Sequence, residues 1–589
     1  MGGSGKSTLA DKVYNVDAVK NHFEARAWIN VSQVYDLKVL LQDLAKEFMG
    51  LKSEVSGKMT VEELKEKLRE FLNGKKYLAN CQIDPVSPHK LKPLSDDDNW
   101  DLFTKKVIIA HDNTPSSKKC SFPMQLEELG RKMVEKCRGL PLAIVLLGGL
   151  LIGKLEDYKT WSILLDRIYW QLSQDLTPCP QILALNYNDL PSYLKPCFLY
   201  LGIYLEDYEI SARRLIKMWI AEGFIVQRGN EIVEDIGEEY LEELASRCMI
   251  QITQRRLSKY IKKFRIHDVL RDLSISKAKE AGFLQIESNT TTSEPFTQSL
   301  TRVRRVVLNN KLGNIYVNPS YQHIRSFFHY EVMNPKKVDT LFRNSDAFGM
   351  LRVLDLSYLS YFKPNEGLRP ILPKSLGKLV HLRYLRLSYV DVSNLPAIIR
   401  NLRNLQILDL KSISNNNDHI KTDFLSNLHQ LRHLRLNGFA FNPPSDASGN
   451  LQTLNNLGII ESSRVKDGWD KYTNLKTVGF ACFTLWSSTI RGDIISTLGK
   501  LPNLVFLLLS ECSLHAKEMI FSRGGFPKLQ DLRLSELNNL EEMKMLPNGL
   551  HYVTTLEKLY LRDMPKEFNS RVEKGGEDWE KVAHILTVV

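Results

Sequence analysis

Apolar positions recur along this chain in three different rhythms, and each predicts a different architecture. Up to about residue 92 the spacing alternates between helical and strand-like. In "STLADKVYNV" Leu9, Val13 and Val16 stand at helical spacing, whereas in "FEARAWINVS" Ala25, Ala27 and Ile29 alternate with Arg26 and Trp28, which predicts a strand. "KVLLQDLAKEFMG" and "TVEELKEKLREFLNGKK" read as amphipathic helices, the second closed by Gly74. A strand is due after Tyr77-Leu78, but the chain turns polar and proline-rich through "ANCQIDPVSPHKLKP". From about 93 to 290 the rhythm is helical. "SDDDNWDLF" opens a helix with Ser95 as N-cap and Asp98 three residues on. "QLEELGRKMVEKCRGLPLAIVLLGGLL" is a helix, a turn at residues 139–141 and a buried helix. "ARRLIKMWIAEGF" and "GEEYLEELASRCMI" are two further helices, "IQITQRRLSKYIKKFRIH" a hairpin and "DVLRDLSISKAKE" the helix after it. Short helices closed by a hairpin predict a winged helix.

From about residue 300 one frame repeats. "LRVLDLS" (351–357), "LRYLRLS" (382–388), "LQILDLK" (405–411), "LRHLRLN" (431–437), "LVFLLLS" (504–510), "LQDLRLS" (529–535) and "LEKLYLR" (556–562) share it. The middle leucines Leu354, Leu385, Leu408 and Leu434 are spaced by 31, 23 and 26 residues. This is the L-x-x-L-x-L pattern of leucine-rich repeats, slightly irregular. Each repeat is expected to give a short strand whose leucines point into a solenoid, leaving the residues between them on a concave recognition surface.

Composition changes this picture little. The 589 residues suffice for several domains, and no run of about 18 apolar residues exists to span a membrane. The first residues are glycine and polar, unlike a secretory signal. Eight cysteines without paired spacing suggest reduced thiols in a cytosolic or nuclear compartment. A net charge of +11 permits an acidic partner or surface without requiring one.

The chemistry-bearing stretch is "MGGSGKSTLA". Gly5, Lys6 and Ser7 match the end of G-x-x-x-x-G-K-[ST], and the chain begins one position inside that motif. In an intact phosphate loop, backbone N–H groups and a helix N-terminus hold phosphates, the lysine reaches the terminal ones and the Ser/Thr hydroxyl ligates Mg²⁺. Gly2, Gly3, Ser4, Gly5, Lys6, Ser7 and Thr8 are therefore the candidate phosphate-binding residues, with Ser7 the candidate metal ligand. The bland alternative is a flexible terminus leading into a helix. The Asp96–Asp98 cluster is a candidate Mg²⁺ carboxylate, but helix capping is the preferred reading. Asp84 precedes Pro85 and reads as a loop residue, so no convincing metal carboxylate follows the loop. Arg255, Arg256, Lys259, Lys262 and Lys263 make the expected hairpin basic; a solvated hairpin is preferred over a DNA contact, because Met218 and Trp219 suit "ARRLIKMWIAEGF" to packing rather than to a groove.

Taken in order, these segments resemble the plant intracellular nucleotide-binding leucine-rich-repeat disease resistance proteins of the coiled-coil type. "GGSGKSTLA" resembles their phosphate loop, "FEARAWINVSQ" the segment after the first helix, "LKPLSDDDNWDLF" the start of the helical subdomain, and "CRGLPLA" its signature turn. "KPCFLYLGIYLEDYEI" resembles the opening of the winged helix, and "RIHDVLRDL" the Met-His-Asp motif with Ile266 in place of methionine. The resemblance implies an α/β P-loop NTPase remnant at 1–92, a helical subdomain at 93–180, a winged helix at 181–290 and a leucine-rich-repeat solenoid at 300–575. Read without the resemblance, His267 is a capping or satisfied core histidine and the 139–141 segment only a turn; the resemblance implies that Pro141 packs beside adenine, that His267 contacts the diphosphate of ADP, and that Asp268 caps the next helix. The chain departs from the family in three ways. It reads as lacking the coiled coil, the strand before the phosphate loop, and the hydrophobic strand with paired aspartates after Leu78 together with the basic segment beyond it. A truncated relative is the expectation.

The leading functional expectation is a cytoplasmic immune receptor, with membrane-associated or nuclear pools left open. ADP or ATP, the latter with Mg²⁺, would set its state, and the repeats would bind a pathogen effector or a guarded host protein. Self-association on activation is implied, nucleic acid is not expected, and hydrolysis is expected to be absent or weak. The competing readings are a nucleotide-free repeat scaffold or decoy and a DNA-binding winged-helix protein.

Overall fold

The structure is a computed structural model that describes residues 3–29, 37–51, 56, 59–79, 91–109, 122–155, 157–172, 178–256, 259–287, 303–308, 323–329, 348–356, 371–388, 395–411, 422–436, 450–457, 469–481, 492–510, 520–535, 546–562 and 570–588. It divides into two units near residue 286.

The first unit begins with helix α1 (Lys6–Tyr14), α2 (Asp17–His22), strand β1 (Ala25–Ala27), α3 (Leu37–Met49), α4 (Val61–Leu72) and strand β2 (Tyr77–Ala79). Strand β1 is buried at Ala25 and Ala27, as the alternation predicts, and pairs in parallel with β2. Strand β2 is three residues long, and the positions beyond Ala79, where a further strand is expected, lie outside the described residues. Helix α4 starts at a capping box, with the Glu63 N–H donating to Thr60 Oγ1 at 3.2 Å and the Thr60 N–H donating to Glu63 Oε2 at 2.7 Å. Its Leu64 and Leu68 bury against Ala45 of α3. By contrast, α1 buries nothing: Leu9 and Val13 are exposed, and the helix ends at Tyr14, so Val16, also exposed, is instead the N-cap of α2.

The helical stretch follows as α5 (Asp96–Ile109), α6 (Met124–Glu135), α7 (Pro141–Leu151), α8 (Tyr158–Leu172) and α9 (Pro178–Asp189). Ser95 caps α5 by accepting from the Asp98 N–H at 3.2 Å, and its hydroxyl lies 2.6 Å from Asp98 Oδ2. The aromatic core of this bundle sets Phe103 edge-to-face on Trp161 at 6.0 Å, and the Trp161 indole N–H donates to the Lys154 carbonyl at 2.9 Å. Helix α7 is buried on almost every side.

Next come α10 (Leu194–Leu199), β3 (Ile210–Ser211), α11 (Ala212–Glu222), α12 (Val233–Ser246), β4 (Gln251–Arg255), β5 (Ile261–Arg265) and α13 (Asp268–Glu280). The three strands form one antiparallel sheet in the order β3-β5-β4, the winged-helix arrangement. Helix α12 starts at Val233, four residues before the expected segment. Met218 and Trp219 of α11 are fully buried, as their residue types suggest. The basic hairpin is not simply solvated. Arg255 pairs with Glu242 at 2.7 Å, Arg256 with Glu238 at 2.8 Å and Lys263 with Glu209 at 2.5 Å, so carboxylates of α12 and of the segment before β3 take up much of its charge.

In the second unit twelve described strands stack in parallel, from Arg305–Leu308 to Thr587–Val588. All seven leucine-framed segments supply strands. Their middle residues make one register ladder: Val306, Phe327, Leu354, Leu385, Leu408, Leu434, Leu454, Val478, Leu507, Leu532, Leu559 and Val588. Leu385 and Leu408 are buried in a core that runs the length of the unit. Between strands, Asn404, Asn450 and Asn503 each donate a side-chain N–H to a carbonyl of the preceding repeat, at 2.8, 2.9 and 2.8 Å. This is a solenoid in which each repeat buries its neighbour's apolar edge. The sheet continues past residue 575, because Thr587–Val588 pairs with Lys558–Arg562.

Candidate functional site

The phosphate loop enters α1 through two left-handed glycines, Gly3 (φ 77°) and Gly5 (φ 85°). Gly5 is the N-cap, no side chain caps the helix, and no acidic residue stands in its first turn. The first helical N–H groups and the positive end of the dipole thus face the loop without a competing carboxylate. Ser4 lies beside the turn, and Lys6, Ser7 and Thr8 are exposed in the first helical turn. Gly2 and Asp84 lie outside the described residues. The far end of α1 is tied down by Arg26 of β1, whose guanidinium donates to the Tyr14 carbonyl at 2.9 Å and stacks 4.9 Å from the Tyr14 ring.

Helix α7 delivers the second part. Gly139 (φ 69°) turns the chain, and Pro141 starts the helix at a position that needs no N–H. The Gly139 carbonyl accepts from the Leu94 N–H at 3.1 Å, anchoring the turn beside the start of α5. The Leu142 N–H donates to the Gly3 carbonyl at 3.2 Å. A Cβ on Gly3 would lie 2.6 Å from Leu142 Cβ, and one on Gly5 would lie 3.9 Å from Pro141 Cγ. Gly3 is therefore required by the approach of α7 as well as by its φ angle, and Gly5 by its φ angle alone. Leu142 is a contact the sequence does not announce, because its role uses only backbone.

The third part comes from α13. Ser274 donates to the carbonyls of Phe198 and Leu199 at 3.2 Å, and the Arg271 guanidinium donates to the Tyr204 carbonyl at 2.7 Å. These bonds fix the helix whose N-cap is His267. The expected cap was Asp268, but Asp268 is the first helical residue, and the Val269 N–H donates to His267 Nδ1 at 3.3 Å. With Nδ1 accepting, the proton of the neutral ring sits on Nε2, which is left as a donor. Burial holds His267 below the usual histidine range; Asp268 and Asp207 oppose this, and the nearby Lys6 charge adds to it. Lys6 and His267 are thus electrostatic neighbours. Asp207, in left-handed backbone (φ 57°), is pushed up by burial and by Asp268, and Glu206 likewise by burial and by Asp268.

The site therefore joins three segments distant in sequence. It offers backbone N–H groups at a helix N-terminus, one lysine, one imidazole donor and an apolar proline–leucine wall. This donor set fits an anionic phosphate chain attached to a flat apolar base. The Asp96–Asp98 cluster instead serves the α5 cap, and among the described residues no group of three or more His, Cys, Asp and Glu side chains is arranged to hold a metal ion.

Three family models match the chain in this same order: the NB-ARC domain over residues 1–81, the disease resistance protein winged helix domain over 203–274 and a leucine-rich repeat region over 323–504. The chain is 29% identical over 730 aligned positions to Arabidopsis thaliana "Disease resistance protein RPP8", covering 100% of this chain and 78% of that one. It is also 29% identical to the "Disease susceptibility protein LOV1" of the same plant, with the same coverage. The aligned span exceeds the 589 residues of this chain, so the relatives carry internal segments that it lacks. Among solved structures, an internalin from Listeria monocytogenes aligns at 15% identity over 49% of this chain and 81% of that one, with a TM-score of 0.29, and carries no further weight. With the three matched domains in order and the relatives aligned along its whole length, the chain belongs to the plant NB-ARC leucine-rich-repeat disease resistance proteins, the immune receptors of that group.

Proposed function

We propose that this chain is an intracellular switch whose state is set by ADP or ATP at the three-part site and whose repeats recognise a pathogen-derived or guarded host protein. The observation that carries the reading is the seating of α7 on the loop, with the Leu142 N–H donating to the Gly3 carbonyl; the Lys6 charge acting on His267 adds support. A nucleotide there would be held by the residues 3–8 segment through its phosphates and by Pro141 at its base, and His267 Nε2 would donate to the diphosphate. Mg²⁺ accompanying ATP would take Ser7 as a ligand. Because loop, α7 and α13 belong to different segments, a ligand touching all three favours one packing of them over another, which is a population shift. No helix among the described residues is long and apolar enough to cross a membrane.

ADP retention tests this reading. His267→Ala is expected to speed ADP dissociation by about tenfold, the effect of removing one charge-assisted hydrogen bond. Lys279→Ala, an exposed change near the other end of α13, should leave the rate unchanged. Equal rates for the two variants would remove His267 from the site.

The second reading, a repeat scaffold without nucleotide, draws on one observation: Leu9 and Val13 leave the apolar face of α1 exposed. A loop carried by so lightly packed a helix must be ordered by its own ligand, which weakens binding. Failure of ADP to bind at any concentration would favour this reading.

A further inference from the structure

The outward positions of the solenoid strands differ between its two halves. On the strands Val353–Leu356, Tyr384–Ser388, Ile407–Lys411 and His433–Arg435, the outward Val353, Asp355, Tyr384, Ile407 and His433 are buried. The charges there answer one another along the register, with Asp409 lying 3.4 Å from Arg386 and 3.9 Å from Arg435. On the strands Phe506–Ser510, Asp531–Ser535 and Lys558–Arg562 the outward row is only partly buried. Here Arg533 is sandwiched, its guanidinium carbon 5.0 Å from the Phe506 ring centre and 4.5 Å from that of Tyr560. Asp531 fixes it with two parallel bonds, to Nε at 2.9 Å and to Nη2 at 2.8 Å.

These bonds use two of the five guanidinium N–H groups, and the side chain is still 40% exposed. The remaining donors are held in place before any partner arrives, so little rotamer entropy is lost when one binds. The neighbours extend the site in two directions. Lys558, opposite Asp531 in register, and Arg562 leave the three outward faces with three cations against one carboxylate. On the other side Leu508 stands between Arg533 and Gly479 in register, and beyond it the Asn455 amide oxygen closes over Gly479, 3.0 Å from where a Cβ would lie, so the face beside Arg533 is apolar at Leu508 and polar past it.

We propose that this face of the last repeats docks a protein segment that pairs a carboxylate, taken by Arg533 and Lys558, with an apolar or aromatic side chain laid on Leu508 and Phe506 of the neighbouring strand. A rigid Arg flanked by aromatic rings, next to the partly exposed Leu508 and within a positive rim, is the composition of an interface anchor rather than of a solvated edge. The proposal rests on the recognition role assigned to the repeats but is independent of the nucleotide site.

The test is a selection of short random peptides displayed on phage against the purified full chain, followed by titration of a recovered synthetic peptide. Recovered peptides should place Asp or Glu within a few positions of Phe, Tyr or Leu. Arg533→Gln and Tyr560→Ala should each weaken the peptide by about tenfold, equivalent to ~1.4 kcal/mol. Arg533→Lys, which keeps the charge but not the flat fork, should also lose most of the affinity. Lys374→Gln, on an exposed turn of an earlier repeat, serves as control and should bind as the parent does. ADP binding, measured on the same proteins, should be unchanged. A pool without carboxylates, no recovered binders, or a peptide indifferent to residues 533 and 560 would overturn the proposal. Peptide binding of the expected kind in a chain that fails to bind ADP would leave the proposal standing and remove the switch.

Discussion

Gly139→Ala is expected to destabilise the first unit by about 2–5 kcal/mol, against about 1–2 kcal/mol for Gly153→Ala. Both glycines are left-handed, with φ 69° and 74°, so both substitutions incur the penalty of a Cβ in that region. They differ in what the Cβ meets. At Gly153 nothing lies within 4 Å, whereas at Gly139 it would sit 2.6 Å from Pro93 Cβ and 2.9 Å from the backbone N and O of Leu94. Backbone cannot swing aside as a flexible side chain can, so the turn must move. The Leu94 N–H bond to the Gly139 carbonyl moves with it, and Pro141 and Leu142 shift against the phosphate loop. Thermal or denaturant unfolding measures the stability difference, and ADP affinity should fall for Gly139→Ala alone. Equal losses at the two glycines would mean that the close approach at Gly139 is not tight.

The full chain is also expected to release no phosphate from ATP above the level of a Lys6→Ala control, with or without Mg²⁺. Hydrolysis by a phosphate loop needs a metal held by the loop hydroxyl together with a carboxylate, and a water oriented for in-line attack. Ser7 offers the metal one ligand. Strand β2, the partner of β1, is Tyr77-Leu78-Ala79 and carries no acid, and between it and Ser95 the sequence holds one carboxylate, Asp84, directly before a proline. The aspartates at 96–98 belong to the first turn of α5. Turnover that requires Mg²⁺ and disappears in Lys6→Ala would show that one of these acids has taken over the metal.

The solenoid was legible because the frame matters more than the residue. Seven segments carry leucine at all the inward positions. Four described strands escaped a search for leucine because other residues fill the same frame: Val303 and Val306 before Leu308, Ile324 with Phe327, Leu451 with Leu454 in "LQTLNNL", and Leu475 with Val478 in "LKTVGFA". Each of these side chains sits in the same core, since an inward position asks only for apolar volume. The short terminal strand at Thr587–Val588 has too few residues to show a frame at all.

The site was legible in parts but not as a whole. Gly3, Gly5, Pro141 and His267 are visible as local signals, whereas their meeting depends on long-range packing that no periodicity encodes. The cap of α13 was misassigned for a local reason. Aspartate is the usual N-cap and histidine is not, but His267 has extended backbone and its Nδ1 reaches the Val269 N–H. The charge of the hairpin was misjudged because its partners lie on another element. Glu238 and Glu242 are four residues apart on α12, one helical turn, and so present two carboxylates on the side where Arg256 and Arg255 arrive.

The central claim is that the phosphate loop, the start of α7 and the N-cap of α13 form one nucleotide site, and photolabelling tests it most directly. The full chain is irradiated with ADP bearing an azide on its adenine ring, digested, and the labelled peptides mapped by mass spectrometry. The account predicts label on the peptide containing Pro141 and Leu142, blocked by unmodified ADP and lost in Lys6→Ala, whose change lies on a different peptide. Label confined to other segments, or label at Pro141 that persists in Lys6→Ala, would contradict it.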